Sequence, residues 1–199
     1  MTEVTLLLRQ AAQGDRQAFN RVIGLVHEEL KAVAEKHMKH ERSSHTLQPT
    51  ALVNEVYLSL VGPDPVDFKD KNHFFAVASK KMREILVNYA KQRNAQKRGG
   101  GVERVALDLC PVAGEESAWD RLDILALDEA MRSLGARQDA RSKRMARIVE
   151  MRFFGGMSSR EIADSLNLAP RSIERELKVA LMFLLAEMSG KAPREAEGK

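Results

Sequence analysis

The chain has 199 residues, 44% of them hydrophobic and 30% charged, with a net charge of +4. This is the composition of a soluble chain forming one large or two small domains. Its single cysteine, Cys110, excludes an internal disulfide and a cysteine-based zinc site, and no apolar run approaches the roughly 20 residues that a membrane span needs. The opening MTEVTLLLRQ lacks the basic flank and long apolar core of a signal peptide, so the expected location is the cytoplasm.

Taken in order, the chain reads as a series of helices. Val4 to Gln13 predicts a short first helix, ended by Gly14. Asp15 is placed to cap a second, from Arg16 to about His40, with Phe19, Val22, Ile23, Val26, Leu30 and Val33 inward. The polar ERSSHTLQPT breaks the pattern. A third helix is expected from about Thr50 to Val61, with Leu52, Val53, Val56, Tyr57 and Leu60 on one side and Asn54, Glu55 and Ser59 on the other. GPDPVDFKDKN reads as a loop. A long fourth helix follows, from about His73 to Gln96, and the glycines of KRGGG end it.

Residues 102–126 carry little helical pattern, and VERVALDL, 102–109, is the one weak strand candidate. Helical periodicity returns over Leu127–Leu134 and Ala140–Phe154, the latter with Met145, Ile148, Val149 and Phe153 inward and with Gly155-Gly156 ending it. Ser158 and Glu161 then fit a capping box before Ile162, Ala163 and Leu166. Asn167 tolerates the left-handed conformation that ends helices, and Pro170 suits the first position of a new one. In that last helix Ile173, Leu177, Ala180, Leu181 and Leu184 form an apolar stripe, which leaves Arg171, Ser172, Arg175 and Lys178 facing out near its start. Two helices, a short turn and donor side chains at the start of the second make a helix-turn-helix, which presents that helix to the DNA major groove. The plainer alternative is a helical hairpin with a solvated charged face, in which Glu174 and Lys178 form an ordinary i,i+4 pair.

The expected fold class is therefore all-α: two small helical domains on a flexible linker, the second a helix-turn-helix domain. The expected boundaries are 1–98, a linker 99–126, 127–189, and a disordered tail 190–199.

Charge is concentrated. Between residues 80 and 98, Lys80, Lys81, Arg83, Lys91, Arg93, Lys97 and Arg98 face the single acid Glu84, an excess larger than the net charge of the whole chain. Such a stripe is the footprint of a polyanion partner. Phe74, Phe75 and Tyr89 lie in or near it. Exposed aromatics there would suit single-stranded DNA, although core is the usual fate of such residues. In the linker the sign reverses: Asp108, Glu115, Glu116, Asp120 and Asp123 face Arg121 alone.

ERSSHTLQPTALVNEVYLSLV, FFAVASKKMREILVNYAKQRNAQKRGGG and VEMRFFGGMSSREIADSLNLAPRSIERELK together resemble the bacterial extracytoplasmic-function (ECF) sigma factors, especially the subgroup with an HTLQPTALV signature. The resemblance spans about residues 3–187. It implies a non-enzymatic protein without cofactor or metal that binds core RNA polymerase and directs it to promoter DNA. It implies docking of the third helix on the β′ clamp helices through Asn54, Glu55, Leu58 and Ser59. It puts Lys71, Asn72, His73, Lys80, Arg83, Asn88 and Lys91 near the −10 element, and Arg171, Ser172, Arg175 and Lys178 at the −35 element. Arg160, on the first helix of the motif, is the expected phosphate contact. An anti-sigma protein is a partner that the resemblance leaves open. The chain departs from the subgroup at Ala169, where a serine or threonine cap is usual, and at Glu176-Leu177, where Asp-Trp is common. The rival functional reading is a conventional helix-turn-helix regulator with an N-terminal ligand-binding or dimerisation domain. An enzyme is disfavoured: His37, His40 and Glu41 lack the order of a metal motif, and no phosphate loop or nucleophile elbow is present.

Overall fold

The computed structural model describes residues 2–38, 48–61, 67–96, 106–107 and 122–190. The expectations for His40, Glu41, residues 45–47 of the signature, KRGGG, most of the linker and the tail from 191 onward lie outside these residues.

Four helices build the N-terminal half: α1 (Glu3–Ala12), α2 (Arg16–Met38), α3 (Pro49–Leu60) and α4 (Lys71–Gln96). Gly14, at φ +94°, makes the turn out of α1, and the Asp15 carboxylate then accepts the amides of Gln17 and Ala18 at 2.8 and 3.0 Å. This is the start signal expected at Asp15. Pro49 supplies the first turn of α3, where its missing N–H leaves no hydrogen bond unmade. Helix α4 begins two residues before its expected start because Asp70 accepts the His73 amide at 2.8 Å and so caps the helix. Each helix buries one stripe: Val22, Val26, Leu30 and Ala34 from α2, Leu52, Val53, Val56 and Leu60 from α3, Phe74, Ala78, Met82, Leu86 and Ala90 from α4. Phe68, from the loop before α4, stacks between Phe19 and Phe74 at centroid distances of 6.1 and 5.2 Å.

The C-terminal half contains α5 (Ile124–Ala136), α6 (Ala140–Phe154), α7 (Ser159–Leu166) and α8 (Pro170–Met188). Helix α5 starts at Ile124, inside the stretch expected to be linker, because Asp123 caps it by accepting the Leu125 amide at 2.9 Å. The step before the cap is also ordered: Leu122–Asp123 pairs antiparallel with Ala106–Leu107, within the weak strand candidate. Apart from this two-residue ladder the described residues outside loops and turns are helical, so the fold class is all-α as expected.

The two halves are packed together. Helix α4 lies against α5, α6 and α7, and the buried apolar residues of both halves form one continuous cluster. Gly155 and Gly156, expected only to end α6, also sit at this seam. A Cβ on Gly155 would collide with Ser79, and one on Gly156 would lie 2.6 Å from the Val33 side chain. Gly156 in addition adopts φ +63°, which favours glycine.

Candidate nucleic-acid interface

Helix α7 is started by a reciprocal capping box. The Ser158 hydroxyl accepts the Glu161 amide at 3.2 Å, and a Glu161 oxygen accepts the Ser158 amide at 2.8 Å. Burial alone would raise the Glu161 carboxyl, but the hydrogen bonds from Ser158 outweigh it and hold the group below its ordinary range. Asn167 ends α7 in the left-handed conformation, φ 54° and ψ 50°, with its amide directed to the Ala163 and Asp164 carbonyls. Leu168 returns its amide to Ala163 at 2.9 Å. Pro170 then opens α8. The break in the sequence is thus a helix-turn-helix with its caps in place on the first helix. On the second, Ala169 offers no side-chain cap, as its departure from serine or threonine led one to expect.

The predicted faces of α8 are realised. Ile173, Leu177, Ala180, Leu181 and Leu184 are buried, while Arg171, Arg175 and Lys178 are exposed and Ser172 half-buried. Arg160, on α7, is exposed as well. Four donors therefore project from the first turns of one helix, where a groove-inserted helix meets base edges.

Sequence reasoning missed what holds this helix. Glu176 is buried on α8, and Arg144 of α6 donates to both of its carboxylate oxygens, at 2.8 Å from Nε and 2.5 Å from Nη2. This fork is the strong geometry for an arginine–carboxylate pair. The hydrogen bonds from Arg144, set against burial, keep the Glu176 carboxyl below its ordinary range. The signal was available: Ile173, Glu176, Leu177 and Ala180 follow helical spacing, so an acid interrupts the apolar stripe and requires a buried partner.

Along α4 the expected DNA-facing residues divide into two groups. Lys80, Asn88 and Lys91 are exposed. Lys71 pairs with Glu29 at 2.7 Å and sits 5.6 Å from the Phe75 ring centroid. His73 is half-buried, its Nδ1 accepting the Lys69 amide at 3.3 Å. Asn72 borders a cleft at the seam between the halves. Arg83 is turned into that seam and paired with Asp128 of α5 and Glu150 of α6. Phe74 and Phe75 are core residues, and Tyr89 is half-buried and packed on the core.

On α3, Asn54, Glu55, Leu58 and Ser59 share an exposed face, and Leu58 is 67% exposed, unusual for a leucine. That face is polar around one apolar side chain, while the opposite face is core.

Among the described residues no cluster of three or more potential metal ligands is found, and no helix is long and apolar enough to cross a membrane. His37, part of the rejected metal idea, is a core residue stacked on Phe154 at 5.4 Å.

No curated protein and no solved structure matches the chain. The family model described as ECF sigma factor matches residues 1–190, nearly the whole chain. With that match and a helix-turn-helix presenting basic side chains, the chain belongs to the ECF sigma factor family, and so is a transcription initiation factor whose partners are core RNA polymerase and promoter DNA.

Proposed function

We propose that the chain divides the work of promoter recognition between its two halves, residues 1–98 for polymerase binding and the −10 element, residues 127–189 for the −35 element, with 99–126 between them. The observation that carries this reading is the outward row of Arg171, Ser172, Arg175 and Lys178 at the start of α8, behind a fully capped α7. Arg171 and Arg175 read base edges, the geometry in which arginine grips guanine O6 and N7. Lys178 and Arg160 contact phosphates and set the register. Lys71, Asn72, His73, Lys80, Arg83, Asn88 and Lys91 serve the −10 element, supported by the excess of base on α4.

The exposed face of Asn54, Glu55, Leu58 and Ser59 docks on the β′ clamp helices. Leu58 supplies an apolar anchor within a polar rim, the usual anatomy of a protein interface. The signature HTLQPTALV supports membership of the corresponding subgroup. Its physical content is the start of α3, with Gln48 at the N-cap, Pro49 in the first turn, and Leu52 and Val53 buried. A factor that works with polymerase on promoters acts in the cytoplasm.

Transcription from a matched set of −35 variants tests the reading face. Arg175→Ala is expected to cost roughly 1–3 kcal/mol on the preferred site and to relax discrimination there. Arg160→Ala is expected to weaken all variants alike. An equal loss on every variant for Arg175→Ala would make it a backbone contact and overturn the assignment.

A further inference from the structure

We infer that the α4 face carrying Arg83 is a shared docking surface: in the free chain it is covered by the C-terminal domain, whose Asp128 and Glu150 stand where promoter phosphates bind in the initiating complex. The inference rests on the reading of α4 as the −10 face.

Arg83 belongs to the basic stripe, yet its side chain is only 19% exposed. Its Nη1 lies 3.3 Å from Glu150 and its Nε 3.6 Å from Asp128. Two carboxylates from two different helices converge on one guanidinium, as two phosphate oxygens would. The grip is incomplete. The distance to Asp128 is too long for a hydrogen bond, and the buried Nε–H has no acceptor within bonding reach. Asp128 is shared, since Arg132 holds its other oxygen at 2.7 Å. Burial raises the Glu150 carboxyl above its ordinary range, with Arg83 and Lys80 only partly offsetting it. A pair of this kind is replaceable, because a phosphate in water-accessible DNA satisfies the arginine without the desolvation that both acids bear here.

The rest of the seam is built to close and to part. Phe154 stacks on His37, and the glycine pair lets the end of α6 approach Ser79 and Val33 with no intervening side chains. Beside these contacts a cleft of about 240 Å³, bordered by Glu29, Lys36, Asn72 and Glu161 together with Val33, Phe75 and Met157, leaves part of the interface unpacked. Asn72 and Arg83, both proposed for the −10 element, thus meet the C-terminal domain, while Lys80, Asn88 and Lys91 stay exposed. The exposed lysines can make first contact with DNA before the seam opens.

The test leaves Arg83 in place and removes the charges opposite it. Asp128→Asn/Glu150→Gln is made in the full chain, with donor and acceptor dyes at Gln17→Cys and Met182→Cys in a Cys110→Ser background. Transfer efficiency should fall. Affinity for a short fluorescein-labelled mixed-sequence single strand should rise on the order of tenfold, as expected if the competent fraction goes from roughly one tenth towards one. Val33→Lys, which forces the seam apart from the N-terminal side without touching the acids, should do the same, and circular dichroism checks that both variants stay folded. Unchanged transfer efficiency in both folded variants means that the seam does not part and overturns the inference. Opening without any gain in DNA affinity overturns the shared surface. Runoff transcription by the same variants with core polymerase separates this from a failure of the −10 reading, which would show as activity insensitive to Lys80→Ala/Lys91→Ala.

Discussion

Removing Arg144 should destabilise the C-terminal domain, and removing Glu176 with it should restore most of the loss. Glu176 keeps 7% of its side-chain surface exposed and Arg144 34%. Stranding one member of a buried ion pair typically costs 3–5 kcal/mol. Here the arginine end is partly in water, so solvent can reach the stranded acid, and the expected cost of Arg144→Met falls to about 2–3 kcal/mol. Arg144→Met/Glu176→Leu exchanges the pair for apolar groups, a swap that is often close to neutral, so a coupling of about 1.5 kcal/mol or more is expected. Denaturant unfolding of the wild type, both single variants and the double variant measures it. The same cycle read by −35-dependent transcription should follow the stability data, because α8 is oriented through this fork. Additive single effects, with coupling below about 0.5 kcal/mol, would refute the reasoning and make the pair a bystander.

Burial lowers the pKa of His37 from 6.5 to about 4, with the Phe153 backbone opposing and Lys36 adding to the fall. The unfolded chain therefore takes up a proton that the folded chain refuses, so stability is full above pH 6.5 and declines by about 3 kcal/mol as pH falls towards 4. His37→Leu should flatten the curve of unfolding free energy against pH over that window, and parallel curves would contradict the burial argument. Ala169→Ser should supply the missing cap of α8 and stabilise the domain by about 0.5–1 kcal/mol in thermal unfolding; no gain would mean that the turn already satisfies those amides. Glu55→Arg, on the exposed face of α3, should weaken binding to core polymerase while stability stays within about 0.5 kcal/mol. Unaltered affinity in a fluorescence titration with core enzyme would move the docking face elsewhere.

The helix-turn-helix could be read from the chain because each of its parts is local. Ser158, Glu161, Asn167 and Pro170 act within one or two turns of themselves, and the apolar stripe of α8 follows from spacing alone. Helix starts at Lys71 and Ile124 were placed two and three residues late because Asp70 and Asp123 were taken as loop residues rather than caps. What spacing did not reveal is non-local. Glu176, Asp128 and Arg83 all lie where apolar neighbours at helical spacing are buried, and each has its partner on another helix. A charge inside an apolar stripe signals that a partner exists without saying which residue it is. The glycine pair was read only as a helix end, since its close approach to Ser79 and Val33 depends on how two distant segments meet. The −10 and −35 residues were assigned from family resemblance and charge, and of these Arg83 is the one whose surroundings point to a second role.

The most direct measurement is runoff transcription from a promoter library by core RNA polymerase, with and without the full chain, followed by sequencing of the transcript starts. The chain should co-purify with core enzyme, starts should appear only in its presence, and the enriched promoters should share two elements at −35 and −10, with Arg175→Ala altering preference at −35 alone. A chain that leaves core polymerase unbound and instead protects palindromic duplex sites by itself would be a conventional regulator and not a sigma factor.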